Sequence, residues 1–260
     1  IFVNYKILQK MLFISPPFGN YFQLKNAISI KGSFTLKPRS GLFFQIFKTL
    51  RYDFKRGGWV NKIGLRNPGI DYAIENYYKQ PNTVISVAIM KKEEIPELNE
   101  KIPKDCDIEL NISCPNVKKE KVYNDVGVFY NSTRKWCIVK LSPLDSIDEV
   151  DILYTQGFRQ FHCCNTVPTE RGGLSGKSLI PFSRSLIREI NEKYPDTEII
   201  GGGGITNMFD IVRYHSSGAV HYSVATLCFH PLLFYKLYSN YNIYGKFPLD
   251  YKTVFLKKEE

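Results

Sequence analysis

The sequence predicts a single-domain (β/α)8 TIM barrel, an α/β fold of eight parallel strands, each followed by a helix. Three observations predict it. Short apolar runs recur along the chain, with stretches of helical spacing between them. Several runs are continuous Val/Ile/Phe-type segments, as parallel strands buried on both faces require. The length of 260 residues suits one barrel, and no Pro/Gly/Ser-rich linker or low-complexity tract divides it.

Strands are expected at residues 27–36, 59–63, 83–90, 107–113, 136–141, 160–164, 198–202 and 219–225. Helices are expected notably at 145–156, 181–193 and 207–216. Asp145 is a candidate cap for the first of these helices, and Thr206 or Asn207 for the last. Each carries a short side chain able to accept from free N–H groups of a first turn. Residues 1–13 read as an N-terminal extension, 14–240 as the barrel and 241–260 as a C-terminal tail. The chain opens on Ile rather than Met, so it reads as open to being a fragment, with Met11 as an alternative start.

At 43% hydrophobic and 23% charged the chain can bury a large core, and neither disorder nor a fibrous structure fits. The 35 Lys+Arg against 25 Asp+Glu give a net charge of +10, which favours anionic partners: phosphates, carboxylates, nucleic acid or acidic membrane surfaces. The basic residues read as spread along the chain. The densest clusters, Lys91-Lys92 before Glu93-Glu94 and Lys118-Lys119-Glu120-Lys121, carry their own acids and read as solvated surface. No run approaches the roughly 18 apolar residues of a membrane span. Neither nucleic acid nor membrane is therefore an expected partner. The six cysteines (Cys106, Cys114, Cys137, Cys163, Cys164, Cys228) form no CxxC pair, and no His pair has metal-ligand spacing. No metal is expected, and a reducing, cytoplasmic compartment is. Cys163 and Cys164 read as packing residues, and His162, His215, His221 and His230 receive no role.

In such a barrel the chemistry belongs to the loops after the strands. The fourth strand runs into Asn111-Ile112-Ser113-Cys114-Pro115-Asn116, a thiol between two carboxamides. Carboxamides donate and accept, which suits an imide or amide ring edge, and a thiolate beside donors can take a proton. An ordinary turn with an incidental Cys is the alternative. The seventh strand ends in Gly201-Gly202-Gly203-Gly204-Ile205 ahead of a helix. Glycines let backbone amides approach a phosphate and the helix N-terminus favours the anion, although a tight barrel turn would look the same. Arg171-Gly172-Gly173-Leu174-Ser175-Gly176 reads as a second flexible, donor-rich loop. Together the two loops point to a phosphate site between the last strands.

The segment Glu109 to Val117 resembles the signature of the dihydroorotate dehydrogenase family. So, in family order, do Phe34-Thr35-Leu36-Lys37, Asn61-Lys62-Ile63-Gly64-Leu65-Arg66-Asn67, Val139-Lys140-Leu141, Asn165-Thr166, and the two glycine segments, over roughly residues 15 to 230. The resemblance implies an FMN-dependent oxidoreductase of pyrimidine biosynthesis, converting dihydroorotate to orotate. It implies Cys114 as the base at ring carbon five, with hydride passing from carbon six to flavin N5. Asn61, Asn111, Asn116 and Asn165 would hold the substrate, supported by Thr166, with the Ile63, Gly64 and Leu65 backbone at its carboxylate. Lys37 would lie beside flavin and substrate with a catalytic charge. Phe18, Gly19, Asn111, Lys140, Asn165, Ser175, Gly176, Gly203, Gly204, Ala225 and Thr226 would contact FMN.

Departures from the family pattern are local. Pro17-Phe18-Gly19 replaces an Ala-Ser-Gly loop, and only five residues separate Thr166 from Gly172. The cysteine base resembles the class without a membrane anchor, for which fumarate is the favoured oxidant, with NAD through a partner subunit or quinone as alternatives. A homodimer is compatible with the resemblance. Two other readings stay open: a related FMN barrel acting on another dihydropyrimidine, and a flavin-binding barrel without turnover.

Overall fold

Eight of the apolar runs close on one another in the computed structural model, which describes residues 9–113 and 121–245. In chain order the strands are β1 (Leu12–Ile14), β2 (Ala27–Phe34), β3 (Arg51–Asp53), β4 (Gly58–Asn61), β5 (Thr83–Ala88) and β6 (Ile108–Asn111). They continue as β7 (Cys137–Leu141), β8 (Gln160–Cys163), β9 (Val167–Thr169), β10 (Gly172–Gly176), β11 (Glu198–Gly202) and β12 (His221–Val224). The barrel runs β1-β2-β5-β6-β7-β8-β11-β12, every neighbour parallel, with β12 returning to β1.

The two faces of these strands divide the core. Phe13, Ile28, Ile30, Val84, Trp136, Ile138 and Ile200 pack against one another inside the barrel. The alternate residues, such as Leu12, Ile85, Leu110, Val139, Phe161 and Tyr222, pack outward under the helices. Each such side chain taken from water contributes about 2 kcal/mol before chain entropy is set against it.

The helices are α1 (Leu42–Thr49), α2 (Ile70–Tyr77), α3 (Ile95–Lys101), α4 (Ile147–Thr155), α5 (Ile180–Lys193), α6 (Met208–His215) and α7 (Pro231–Tyr244). The cap of α4 is Ser146, not Asp145: Ser146 Oγ accepts from the Asp148 N–H, while Glu149 accepts from the Ser146 N–H. Asp145 is taken up by the Ser142 N–H and the Tyr123 hydroxyl. Asn207 caps α6 through the Asp210 N–H, as expected.

Two expectations about strands are corrected. The barrel opens with Leu12–Ile14, three fully buried residues within and just beyond the stretch read as an extension. Residues 59–63 are not a barrel strand. Their core, β4, pairs antiparallel with β3 and β10, and alternates buried and half-buried positions as a one-sided sheet does. The two errors cancel in number, so every later strand keeps its expected rank.

The expected loop at Gly172–Gly176 is also a strand, in a small sheet ordered β3-β4-β10-β9. Gly172, at φ +124°, lies so close to β4 that a Cβ there would fall 2.2 Å from the Asn61 carbonyl oxygen. Absence of a side chain thus makes the pairing. Both hairpins of this sheet leave the C-terminal ends of barrel strands, β2 and β8, which puts the sheet on the mouth side. Trp59 then stacks on Phe229, beyond β12, at 4.5 Å between ring centroids.

The turn after β11 is held from beneath by Tyr214 of α6, fully buried, whose hydroxyl lies 2.7 Å from the Gly202 carbonyl and 2.6 Å from that of Gly203. Ser183 Oγ also donates to the Gly202 carbonyl, so replacing Tyr214 by Phe leaves the Gly203 carbonyl without its hydroxyl donor and is expected to cost about 1–3 kcal/mol in urea unfolding at neutral pH. A loss under a few tenths would mean the hydroxyl does not hold the turn.

Candidate active site

The inward positions change character toward the mouth: above the apolar layer, β6, β7 and β8 present Glu109, Lys140 and His162. Glu109 is fully buried. Its Oε1 accepts from Ser86 Oγ at 2.9 Å and lies 3.6 Å from Lys140 Nζ, and its Oε2 is 2.6 Å from His162 Nδ1. Burial alone would raise its pKa; the Lys140 ammonium and the contacts with His162 and Ser86 overcome that and hold it at about 2. Burial, then the Lys140 charge, push His162 downward, so neutral imidazole donates from Nδ1 to an ionised carboxylate.

Hydrogen bonds carry this network up to the mouth. Ser86 Oγ and Ser33 Oγ are 2.7 Å apart. A register shift between Gly32 and Phe34 in β2 brings Ser33 to this contact. Asn111 Nδ2 donates to Ser33 Oγ at 2.8 Å, and Asn165 Nδ2 donates to Asn111 Oδ1 at 3.1 Å. Ser113 Oγ donates to the Lys140 carbonyl. The result is two carboxamides side by side at the mouth and an ammonium anchored from below.

Other expected residues stand around this centre. Asn61 ends β4, and Ile63-Gly64-Leu65 form the loop after it, with Gly64 at φ +73° and Leu65 at φ +54°. Asn67 fixes that loop: its Nδ2 donates to the Leu65 carbonyl and to Thr35 Oγ1. Arg39 Nε donates to the Gly64 carbonyl. Lys37 lies past the end of β2 with an exposed side chain that makes no hydrogen bond or ion pair among the described residues. Thr166 follows Asn165, whose Oδ1 accepts from its N–H. Cys114 and Asn116 lie outside the described residues.

On the opposite rim Gly203 and Gly204 take φ +93° and +80°. A Cβ on Gly204 would fall 2.7 Å from Lys177 Cα and 2.8 Å from the Gly176 carbonyl oxygen, so the two glycine segments do meet. Ser175 Oγ is used by the Trp59 carbonyl. Thr226 opens a 3-10 turn, Thr226–Phe229, directly after Ala225. Gly19 sits in the turn after β1, and the Phe18 ring packs edge-on to Phe229 at 4.8 Å. Two buried hydroxyls, Thr166 Oγ1 next to Asn165 and Ser178 Oγ next to Lys177, have no hydrogen-bond partner among the described residues.

Glu109, His162, Ser33, Ser86 and Asn67 were not singled out from the sequence. For Glu109 a signal exists: a charge between Ile108 and Leu110 in a buried strand, two positions from Asn111 on the same face, demands a partner. His162, assigned no role, is that partner. The two serines carry no such signal. Among the described residues there is no group of three His/Cys/Asp/Glu placed to hold a metal, and no helix long and apolar enough to cross a membrane.

A carboxyl held lower in the folded chain than its ordinary 4.5 stabilises above that pH and ceases to as pH falls toward 2. His162, held lower when folded, adds a loss in the same direction below 6.5. Glu109→Gln is expected to cost roughly 3 kcal/mol at pH 7, with the deficit against the native chain shrinking as both are acidified. A deficit constant with pH in denaturant titrations would disprove the ionised carboxylate.

Comparison with known proteins bears on this mouth. Residues 20–236 match the family model described as Dihydroorotate dehydrogenase. The catalytic subunit of the NAD(+)-type dihydroorotate dehydrogenase B of Petrotoga mobilis is 32% identical over 247 residues, covering 82% of this chain and 80% of that protein. The same subunit of Geobacter metallireducens is 31% identical over 248 residues, covering 82% and 79%. A protein of Aquifex aeolicus assigned provisionally to the fumarate-type dihydroorotate dehydrogenase A is 30% identical over 207 residues, covering 66% and 68%. A crystal structure of the Eimeria tenella enzyme in complex with ferulenol superposes with a TM-score of 0.65 at 17% identity, covering 86% of this chain and 77% of that one, a likeness of fold. The family is flavin-dependent. With the match running from the turn after the first strand to the last helix, and the Glu109–Lys140 mouth inside it, the chain belongs to the dihydroorotate dehydrogenase family.

Proposed function

We propose that this chain is an FMN-dependent oxidoreductase that converts dihydroorotate to orotate, a step of pyrimidine biosynthesis. The observation that carries the reading is the mouth itself: Asn111 and Asn165 hydrogen-bonded side by side, above a Lys140 ammonium held by buried Glu109. Paired carboxamides match the donor and acceptor edges of a dihydropyrimidine, and a fixed cation opposes negative charge that builds up on a two-electron acceptor.

The residues on the far rim fit FMN. Gly203 and Gly204 carry no side chains of their own over their backbone amides, and the Ser178 hydroxyl, two residues after Gly176, is buried without a hydrogen-bond partner among the described residues. Gly176, Gly203, Gly204, Ala225 and Thr226 would hold the phosphate, and Lys140, Asn111, Asn165 and the Phe18-Gly19 turn the ring system. When bound, FMN supplies the two-electron acceptor for the hydride that leaves ring carbon six.

The chain's own residues do the rest. Asn61, Asn111, Asn116 and Asn165 orient the substrate ring, and Thr166 Oγ1, buried without a partner among the described residues, joins them. The Ile63-Gly64-Leu65 backbone receives the carboxylate, and Lys37 on the rim adds positive charge. The thiolate of Cys114 takes the proton from ring carbon five, so that loss of proton and hydride leaves the ring double bond. Fumarate is the acceptor this reading favours. NAD through a partner is the alternative, since relatives named for either oxidant align with the chain.

The test is anaerobic. FMN-loaded chain should lose its yellow absorbance on adding dihydroorotate and keep it with dihydrouracil. Cys114→Ala should slow that bleaching about 10²–10⁴-fold while FMN stays bound. A chain that cannot be loaded with FMN, or a Cys114→Ala variant reduced at the native rate, would overturn the reading.

A further inference from the structure

One projecting unit at the mouth carries, beside Lys37, Asn61 and the Ile63-Gly64-Leu65 backbone, charged and aromatic groups that the proposed activity does not use. Residues 37–66, comprising α1, the β3–β4 hairpin and the loop after it, contain eight basic residues and a single acid, Asp53. Their net charge is +7, out of +10 for the whole chain. The charge read as spread along the sequence is therefore concentrated in one unit of the fold. Asp53 is itself occupied, with its Oδ2 2.9 Å from Arg56 Nη1.

The same unit is apolar at its tips. None of the eight described residues of α1 is buried. Phe43 and Phe47, one helical turn apart, are 84% and 83% exposed, and Phe54 at the hairpin turn is 89% exposed. Phe44 is exposed too, with Lys48 Nζ 5.7 Å from its ring centroid. Lys48, Arg51, Lys55, Arg56 and Lys62 all lie on the surface around these rings. Four phenyl groups standing in water make a patch of the kind that marks an interaction site.

The charge selects the occupant. A twofold contact between copies would set this +7 surface against itself, which Coulomb repulsion opposes. Protruding phenyl rings ringed by cations match instead a boundary where acyl chains meet anionic headgroups. We infer that residues 37–66 dock the barrel mouth onto an anionic lipid bilayer.

Aromatic contacts join that surface to the site. Phe54 packs on Tyr52 at 4.9 Å, Tyr52 on Trp59 at 5.4 Å, Trp59 on Phe229 at 4.5 Å and Phe229 on Phe18 at 4.8 Å. Leu232 and Leu233, just beyond Phe229, are exposed and extend the apolar face. The docked molecule thus presents its mouth toward the membrane. The inference stands whether or not the chain turns over dihydroorotate.

Vesicle flotation of the full chain tests it, using phosphatidylcholine with and without phosphatidylserine. The chain should float with the anionic vesicles, at least about tenfold more than with neutral ones, and be released by salt. Phe43→Ser combined with Phe47→Ser and Phe54→Ser should reduce binding about tenfold or more, and so should Lys55→Glu with Arg56→Glu, with unchanged circular dichroism. No flotation with phosphatidylserine, flotation of both variants equal to that of the native chain, or a phenyl-dependent dimer in sedimentation without vesicle uptake would each overturn the inference.

Discussion

An ionised carboxylate inside a closed barrel costs several kcal/mol unless charge and hydrogen bonds answer it, and Glu109 has no exposed surface at all. Its answer is fourfold: Lys140, His162, Ser86 and, through Ser86, Ser33. Each partner comes from a different barrel strand, so the demand of one side chain is met only when β2, β5, β6, β7 and β8 are in register. The carboxylate therefore links the closure of the barrel to the chemistry at its mouth. Lys140 is directed by it, and Asn111 and Asn165 continue the same hydrogen-bonded chain to the surface where a substrate ring would lie.

Above this network the chain builds a second, looser layer. The small β3-β4-β10-β9 sheet is inserted from the ends of β2 and β8, and the Trp59–Phe229 stack ties it to the turn after β12. Asn67 and Arg39 fasten the loop after β4 to the segment after β2. Rigid strands thus supply charge and carboxamides, while loops and the small sheet supply enclosure and the basic, phenyl-bearing surface.

Much of this was legible in the sequence. Asn111 drew attention as a carboxamide at a strand end, while Lys140 and Asn165 were read from segments that resemble the family's; all three stand at or just past strand ends near the mouth. The barrel itself followed from continuous apolar runs, even though Leu12–Ile14 is too short to register and β4 belongs to another sheet. A single sequence shows that residues 59–61 are extended, not which edge they pair with. The glycines of β10 read as a loop because strand propensity counts side chains, whereas this pairing depends on their absence. Glu109 lay in the quoted signature without a role, although its charge amid Ile108 and Leu110 already required one. The concentration of charge in residues 37–66 escaped notice because the cations come singly or as the pair Lys55-Arg56, with uncharged residues between most of them, so no long basic run forms.

Titration of the Glu109 carboxyl is the measurement closest to the centre of this structure. In chain labelled with carbon-13 at glutamate carboxyls, its resonance is assigned by its loss in Glu109→Gln. It should stay in the ionised position through the whole range in which the chain remains folded, in keeping with a pKa of about 2. A midpoint at or above the ordinary 4.5 would show a neutral acid in the barrel, and Lys140 would then have no charge beneath it to direct it.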